Sequence, residues 1–452
     1  MRNGVFRFRR NATSLGGAAV SRRNSGRNAA GRTAGIYLLA NALYASIPFF
    51  LLPLLTRYLE PRQYGQVAMF HVLLGAVGAF VGLTVDGAAS RKYFDEDLGP
   101  ADMQRFIGAC LQIVLLTAAI ALCLVSVFGN RLSGLLDMPV AWLLWTVVAC
   151  AGTVVVQLRL GQWMVRRQAW AFSALQMGQA LLNAAISIVL VVGLHWGAEG
   201  RIAGQVVSVV LASALAVYLL ARDRLLSFFS WEPRYWREAL RFGVPLVPHI
   251  AGIYLLSTFD RMVVNTRLGL SEAGIYLVAV QLSSAVTLVF DAVNKAYVPW
   301  LFGMLGRNDV VENRRIVSLT YRWYAAIAAG VVAAFLLGPL LVPFVVGERY
   351  AAATQLFGWL CLGQGLAGMY LMVTNYVFYS KRTGELSLVT ITAGVMHIGL
   401  VFLMTGQLGL MGAALAFCLS MAFRFGMTWW VANRRHPMPW FSFIGQGTKD
   451  AV

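Results

Sequence analysis

The chain alternates long apolar runs with short polar connectors, and the length of the runs decides what they are. A helix rises 1.5 Å per residue, so about 20 mostly apolar residues cross the roughly 30 Å of hydrocarbon in a bilayer. About twelve runs reach that length: residues 34–56, 66–86, 106–128, 140–158, 173–194, 202–220, 239–258, 275–301, 324–346, 356–376, 386–405 and 412–431. They are continuously apolar and do not alternate apolar with polar over about 10 positions, so they predict spanning helices rather than barrel strands.

The connectors carry the orientation. With the N-terminus inside, one side collects Arg91, Lys92, Arg105, Arg159, Arg166, Arg167, the basic residues from Arg222 to Arg241, Arg307, Arg314, Arg315, Arg322, Lys381, Arg382, Arg434 and Arg435. The other side has few, among them Arg57, Arg131, Arg267 and Arg349, so the positive-inside rule predicts both termini in the cytoplasm. Residues 1–33 hold Arg2, Arg7, Arg9, Arg10, Arg22, Arg23, Arg27 and Arg32 without an acidic residue, and read as a disordered basic leader that sets topology. A transit peptide or a lipid-binding tail has similar composition, and no cleavable secretory signal stands out.

Composition agrees with this pattern. Hydrophobic residues make up 59% of the 452 positions and charged ones 12%, well outside the range of soluble domains. The net charge of +18 lies in connectors, where it orients helices, so nucleic acid is not an expected partner. Cys110, Cys123, Cys150, Cys361 and Cys418 all fall inside apolar runs with no CxxC pair, which predicts packing residues and no metal site.

Two segments recur at nearly one separation. Residues 59–65 (LEPRQYG) match 268–274 (LGLSEAG), and 197–208 (GAEGRIAGQVVS) match 409–420 (GLMGAALAFCLS). They predict a duplicated six-helix unit whose copies, each with an even number of helices, are related by an axis along the membrane normal. The expected organisation is a leader (1–33), a first bundle (34–221), a cytoplasmic linker (222–238), a second bundle (239–433) and a cytoplasmic tail (434–452) around a central cleft. Pro48 and Pro53 in span 1 and Pro245 and Pro248 in span 7 are paired helix interruptions, a pattern that points to a transport path.

Residues 37–97, opening YLLANALYASIPFFLLPLLTRYLEPRQYG, resemble the start of bacterial polysaccharide translocases, the oligosaccharide-lipid (Wzx-type) flippases. Residues 257–302, with TFDRMVVNTRLGLSEAGIYLVAVQL and AVNKAYVPWLF, resemble the matching start of their second half. The resemblance covers the chain after the leader and implies an all-α integral membrane fold similar to multidrug and toxin extruders. It also implies a polyprenyl-pyrophosphate-linked glycan carried from the inner to the outer leaflet of the bacterial cytoplasmic membrane, with a polysaccharide polymerase as a natural neighbour. His397, in VMHIGLV, departs from the asparagine more often expected in span 11.

Such a carrier needs a polar, cationic path and no bond-breaking machinery. A charge near the bilayer centre costs about 2.5–3.5 kcal/mol, so those present are expected to face protein or water. Arg261 and Lys295, inside the family-like segment, lead the candidates for attracting pyrophosphate, followed by Arg57, Arg91, Lys92 and Arg424. Asp86 and Lys295 correspond under the repeat and are candidate partners in an inner gate, with Asp291 competing for Lys295 and Asp260 beside Arg261. His249 and His397 are candidate coupling residues for a proton; sodium is the alternative coupling ion, and no other cofactor is expected. Two rivals stand beside this reading: a multidrug exporter on the same scaffold, expected to need deep acids, and a membrane enzyme of surface-sugar assembly (polymerase, ligase or acyltransferase), expected to need a convergent acid, base or nucleophile.

Overall fold

The structure, a computed structural model, describes residues 35–440 apart from 36, 38, 97, 308 and 381–383. The leader, the Lys381–Arg382 pair and the tail beyond 440 lie outside the described residues. The first half comprises α1 (Leu39–Tyr58), α2 (Pro61–Gly78), α3 (Val85–Lys92), α4 (Pro100–Leu136), α5 (Val140–Val165), α6 (Ala169–Ile188) and α7 (Gly197–Arg222). The second comprises α8 (Pro233–Gly243), α9 (Val247–Ser257), α10 (Asp260–Leu268), α11 (Leu270–Leu305), α12 (Val310–Val345), α13 (Ala353–Tyr379), α14 (Gly384–Leu408) and α15 (Leu410–Arg435). No strand occurs among the described residues.

Eleven helical segments are long and apolar enough to cross a membrane, and α1 is the first of them. Span 2, expected as one helix over 66–86, is instead two pieces. Gly82, Leu83 and Thr84 take φ of 80°, 47° and 57°, a run of left-handed residues that no helix can continue through. Span 7 is also broken: a 3-10 turn at Val244–Leu246 separates α8 from α9, and Pro245 and Pro248 lie at this junction. Pro48 and Pro53 sit within an unbroken α1. Large side chains such as Phe50, Val127, Leu336 and Phe344 are exposed along the helices, as a lipid solvent permits.

The repeat is visible in close packing. A Cβ on Gly65 would lie 1.9 Å from the Leu270 carbonyl oxygen, and one on Gly274 would lie 2.0 Å from that of Pro61. Gly65 pairs with Gly274 in the repeat and Pro61 with Leu270, so α2 and α11 cross in a reciprocal contact around the axis relating the halves. Gly197 and Gly409, which open α7 and α15, share a φ of 59°.

The two halves are joined at the end that holds the α1–α2 link. There the Tyr350 hydroxyl donates to the Leu59 carbonyl (2.9 Å), Tyr64 donates to Gln281 (2.7 Å), and one apolar core runs through α2, α5, α11 and α13. At the opposite, basic end the core divides. One cluster packs α3 and α4 against α8, and another packs the far ends of α11, α13 and α15 together. The halves therefore share one core at the first end, while at the basic end the far ends of α11, α13 and α15 have a core of their own and α8 packs with α3 and α4 of the first half.

The 222–238 segment is clasped to the first bundle. Gln112 donates to the Phe228 (2.6 Å) and Ser230 (3.2 Å) carbonyls and accepts from Trp236 (2.8 Å). Tyr235 donates to Asp102, and Lys92 pairs with Glu238. The clasp includes Ala239–Gly243, where Gly243 packs so closely on the Leu83 carbonyl that a Cβ would lie 1.9 Å away. The two interrupted spans, 2 and 7, thus meet at their breaks.

Candidate translocation cleft

The break after α9 builds a charged site in the second bundle. Ending α9 at Ser257 and starting α10 at Asp260 turns Asp260 and Arg261 inward, where they are only 3% and 7% exposed. Asp260 Oδ1 accepts from the Arg261 backbone amide (2.9 Å) and from Arg261 Nη1 (3.2 Å), and Oδ2 accepts from the Tyr276 hydroxyl (2.8 Å). Arg261 Nη1 also donates to the Ser257 carbonyl. Every oxygen of the carboxylate is engaged, which makes burial of the pair tolerable.

This pair lines a cavity of about 150 Å³ with Tyr276, Gln364 and Arg424. Arg424, from α15, lies over the Tyr370 ring at 3.9 Å, a cation–π contact that holds its plane. The Nε atoms of both Arg261 and Arg424 are buried without a hydrogen-bond partner. With Asp260 balancing Arg261, Arg424 leaves the cavity one positive charge in excess, and buried donors left open cost about 1–3 kcal/mol each unless a ligand engages them. The site suits an oxyanion.

A second cavity, of about 560 Å³, lies at the basic end where α3 meets α8, lined by Arg91, Lys92, Arg241, Asp95 and Glu238 among others. Lys92 is already held by Asp95 (2.8 Å) and Glu238 (2.7 Å), and Arg91 lies over Phe242 at 5.7 Å. Burial alone would lower the Lys92 pKa, but the two carboxylates outweigh it and raise it. Arg91 remains the freer of the two predicted cations.

The other expected residues scatter. Arg57, Asp291 and Lys295 are exposed, and Asp86 is half-buried. Among the described residues no ion pair joins Lys295 to Asp86 or to Asp291. The expected Asp86–Lys295 pair is not formed in this arrangement. His249 is half-buried beside the α8–α9 break. His397 is 0% exposed, with Nδ1 3.0 Å from Ser420 Oγ. The Ser420 oxygen also lies 2.7 Å from the Ala416 carbonyl oxygen, and His397 Nε2 is buried without a partner.

Sequence reasoning passed over Arg201, Tyr276 and Gln364. Arg201, at the start of α7, donates through Nη1 to Asn183 Oδ1 (2.8 Å) and Ser187 Oγ (2.9 Å). The signal was present: within the matched segments, Arg201 stands where the second copy has Ala413, a charge in place of an apolar residue. Arg159, expected among the orienting residues of a connector, is instead buried at α5, with an ion pair to Asp223 and a stack on Trp163 at 4.0 Å.

Residues 30–305, more than half of the chain, match the family described as polysaccharide biosynthesis protein. The chain belongs to that family. As a member of the polysaccharide biosynthesis family it is 24% identical over 378 residues to an uncharacterized membrane protein of Haemophilus influenzae, covering 81% of this chain and 88% of that one. Its fold is similar to the inward-facing conformation of a multidrug resistance MATE family transporter of the MOP superfamily (TM-score 0.69, 16% identity, covering 88% of this chain and 94% of that one). It is also similar to the lipid II flippase MurJ in an inward closed conformation (TM-score 0.65, 13% identity, 90% and 87%). The family and the eleven membrane-length apolar helices make this a multi-pass membrane protein, and its fold, similar to those two solved structures, sets the helices in two bundles about a cleft.

Proposed function

We propose that the chain is a flippase for polyprenyl-pyrophosphate-linked oligosaccharide units, turning the headgroup from the inner to the outer leaflet of the bacterial cytoplasmic membrane by alternating access. The positive-inside pattern supports cytoplasmic termini and places the separated basic ends on the cytoplasmic side. The observation that carries the reading is the second-bundle cavity, where Arg261 and Arg424 present unengaged Nε donors next to a fully engaged Asp260. A pyrophosphate loses its hydration in passing the bilayer and needs replacement donors, and guanidinium forks supply them at fixed geometry. The prenyl tail can stay in lipid, so only the head needs the cleft, and no bond is made or broken.

The unit would enter from the cytoplasmic side, past the Arg91 cavity, and engage Arg424 and Arg261. Closing the basic ends and parting the α2–α11 seam would then expose it outside. Deletion followed by lipid analysis tests this. Lipid-linked units should accumulate facing the cytoplasm while surface glycan falls. Normal surface glycan together with new drug sensitivity would instead select the second reading, a multidrug exporter, which the MATE-like fold favours but the cationic cavity does not.

A further inference from the structure

The first bundle contains a cavity that the pyrophosphate reading leaves unused. It measures about 120 Å³ and lies between α1, α6 and the start of α7, lined by Tyr44, Pro48, Gln179, Asn183 and Arg201. Arg201 has no carboxylate partner among the described residues. Its Nη1 is anchored by Asn183 Oδ1 and Ser187 Oγ, and Ser187, fully buried, in turn donates to the same Asn183 oxygen (3.2 Å). The anchoring oxygens are neutral, so they orient the guanidinium without cancelling its charge. The Nε–Nη2 edge is left without a protein acceptor among the described residues, a preset fork for two oxygens of one oxyanion.

Gln179 and Tyr44 add an amide and an aromatic ring beside that fork, groups that serve sugar hydroxyls and sugar faces.

We infer that Arg201, held by Asn183 and Ser187, forms an oxyanion-binding subsite in the first bundle, separate from the Arg261–Arg424 cavity, for an anionic group on the carried headgroup. This inference rests on the flippase reading. The oxyanion is either a carboxylate on an acidic sugar or a second phosphate oxygen pair, and the two have the same bidentate chemistry.

The test uses the full chain in lipid nanodiscs with three probes: glucuronate, glucose, and sugar-free undecaprenyl pyrophosphate. Binding is measured to wild type, Arg201→Ala, Arg201→Lys and Arg261→Gln, with thermal unfolding to establish that each variant is folded. Glucuronate binding that glucose does not share, weakened about tenfold or more by Arg201→Ala and not restored by Arg201→Lys, supports a carboxylate subsite. Loss of undecaprenyl pyrophosphate binding in Arg201→Ala, with glucuronate silent in wild type, assigns the fork to phosphate. Unchanged binding of both probes in a folded Arg201→Ala protein overturns the inference. If wild type binds no undecaprenyl pyrophosphate while Arg201-dependent glucuronate binding persists, the pyrophosphate reading fails and the subsite stands.

Discussion

The two bundles come from one repeated plan and differ in where they break it. The first interrupts its second span, at the left-handed run Gly82–Thr84, and keeps its first span whole. The second interrupts its first span, at Pro245 and Pro248 and again after Ser257, and runs its second span unbroken as α11. In the second bundle the gap after α9 admits a salt-bridged Asp260–Arg261 pair, whereas the first bundle holds Arg201 on neutral oxygens alone. The two halves thus share the reciprocal α2–α11 contact and differ in how their buried charges are held.

The comparison is broken most severely by removing the charge that the second bundle balances. Arg261→Ala leaves Asp260 buried with only Tyr276 as a side-chain partner, and should cost about 3–5 kcal/mol of stability as well as transport. Thermal unfolding in detergent reads the first effect. Arg201→Ala leaves no buried carboxylate behind and should cost much less; equal losses in the two bundles would erase the distinction drawn between them.

The shared surface is tested by its glycines. Gly65→Ala and Gly274→Ala each drive a methyl into a carbonyl of the other half, at Leu270 and Pro61, and each should destabilise the closed seam by about 1–3 kcal/mol. The reciprocal geometry predicts similar values for the two variants. A large effect in one and none in the other, measured by thermal unfolding or by cross-linking across the α2–α11 seam, would contradict the axis.

The smallest effect is expected at the basic end. Asp86→Lys and Lys295→Asp should each slow transport, and together should restore it if the residues meet when the bundles close there. Transport assays on the three variants decide this, and absence of rescue removes the gate. Since neither residue is paired in the present arrangement, stability should change by less than about 1 kcal/mol.

Much of the fold was legible in the chain because hydropathy is a local, additive property and lipid enforces it over every span. The runs starting near 106, 140, 202 and 412 became α4, α5, α7 and α15 with displaced ends. The break in span 2 escaped notice because Leu83 and Thr84 look like ordinary span residues, and the close approaches of Gly82 to Val154 and of Gly243 to Leu83 that accompany it exist only in the folded chain. Among the predicted cations, Arg261 and Arg424 share a cavity while Arg57 and Lys295 are exposed elsewhere, a division no spacing rule could draw.

Membrane residence and multiple spans were readable from the chain alone, since chain length and apolar content are properties of the unfolded polymer as much as of the folded one. Which charges are neutralised, which keep an open edge, and at which end the halves share a core emerged only from folding. Those depend on distances of a few ångströms between residues such as Asp260 and Tyr276, or Arg201 and Asn183, that are remote along the chain and meet only when the helices pack.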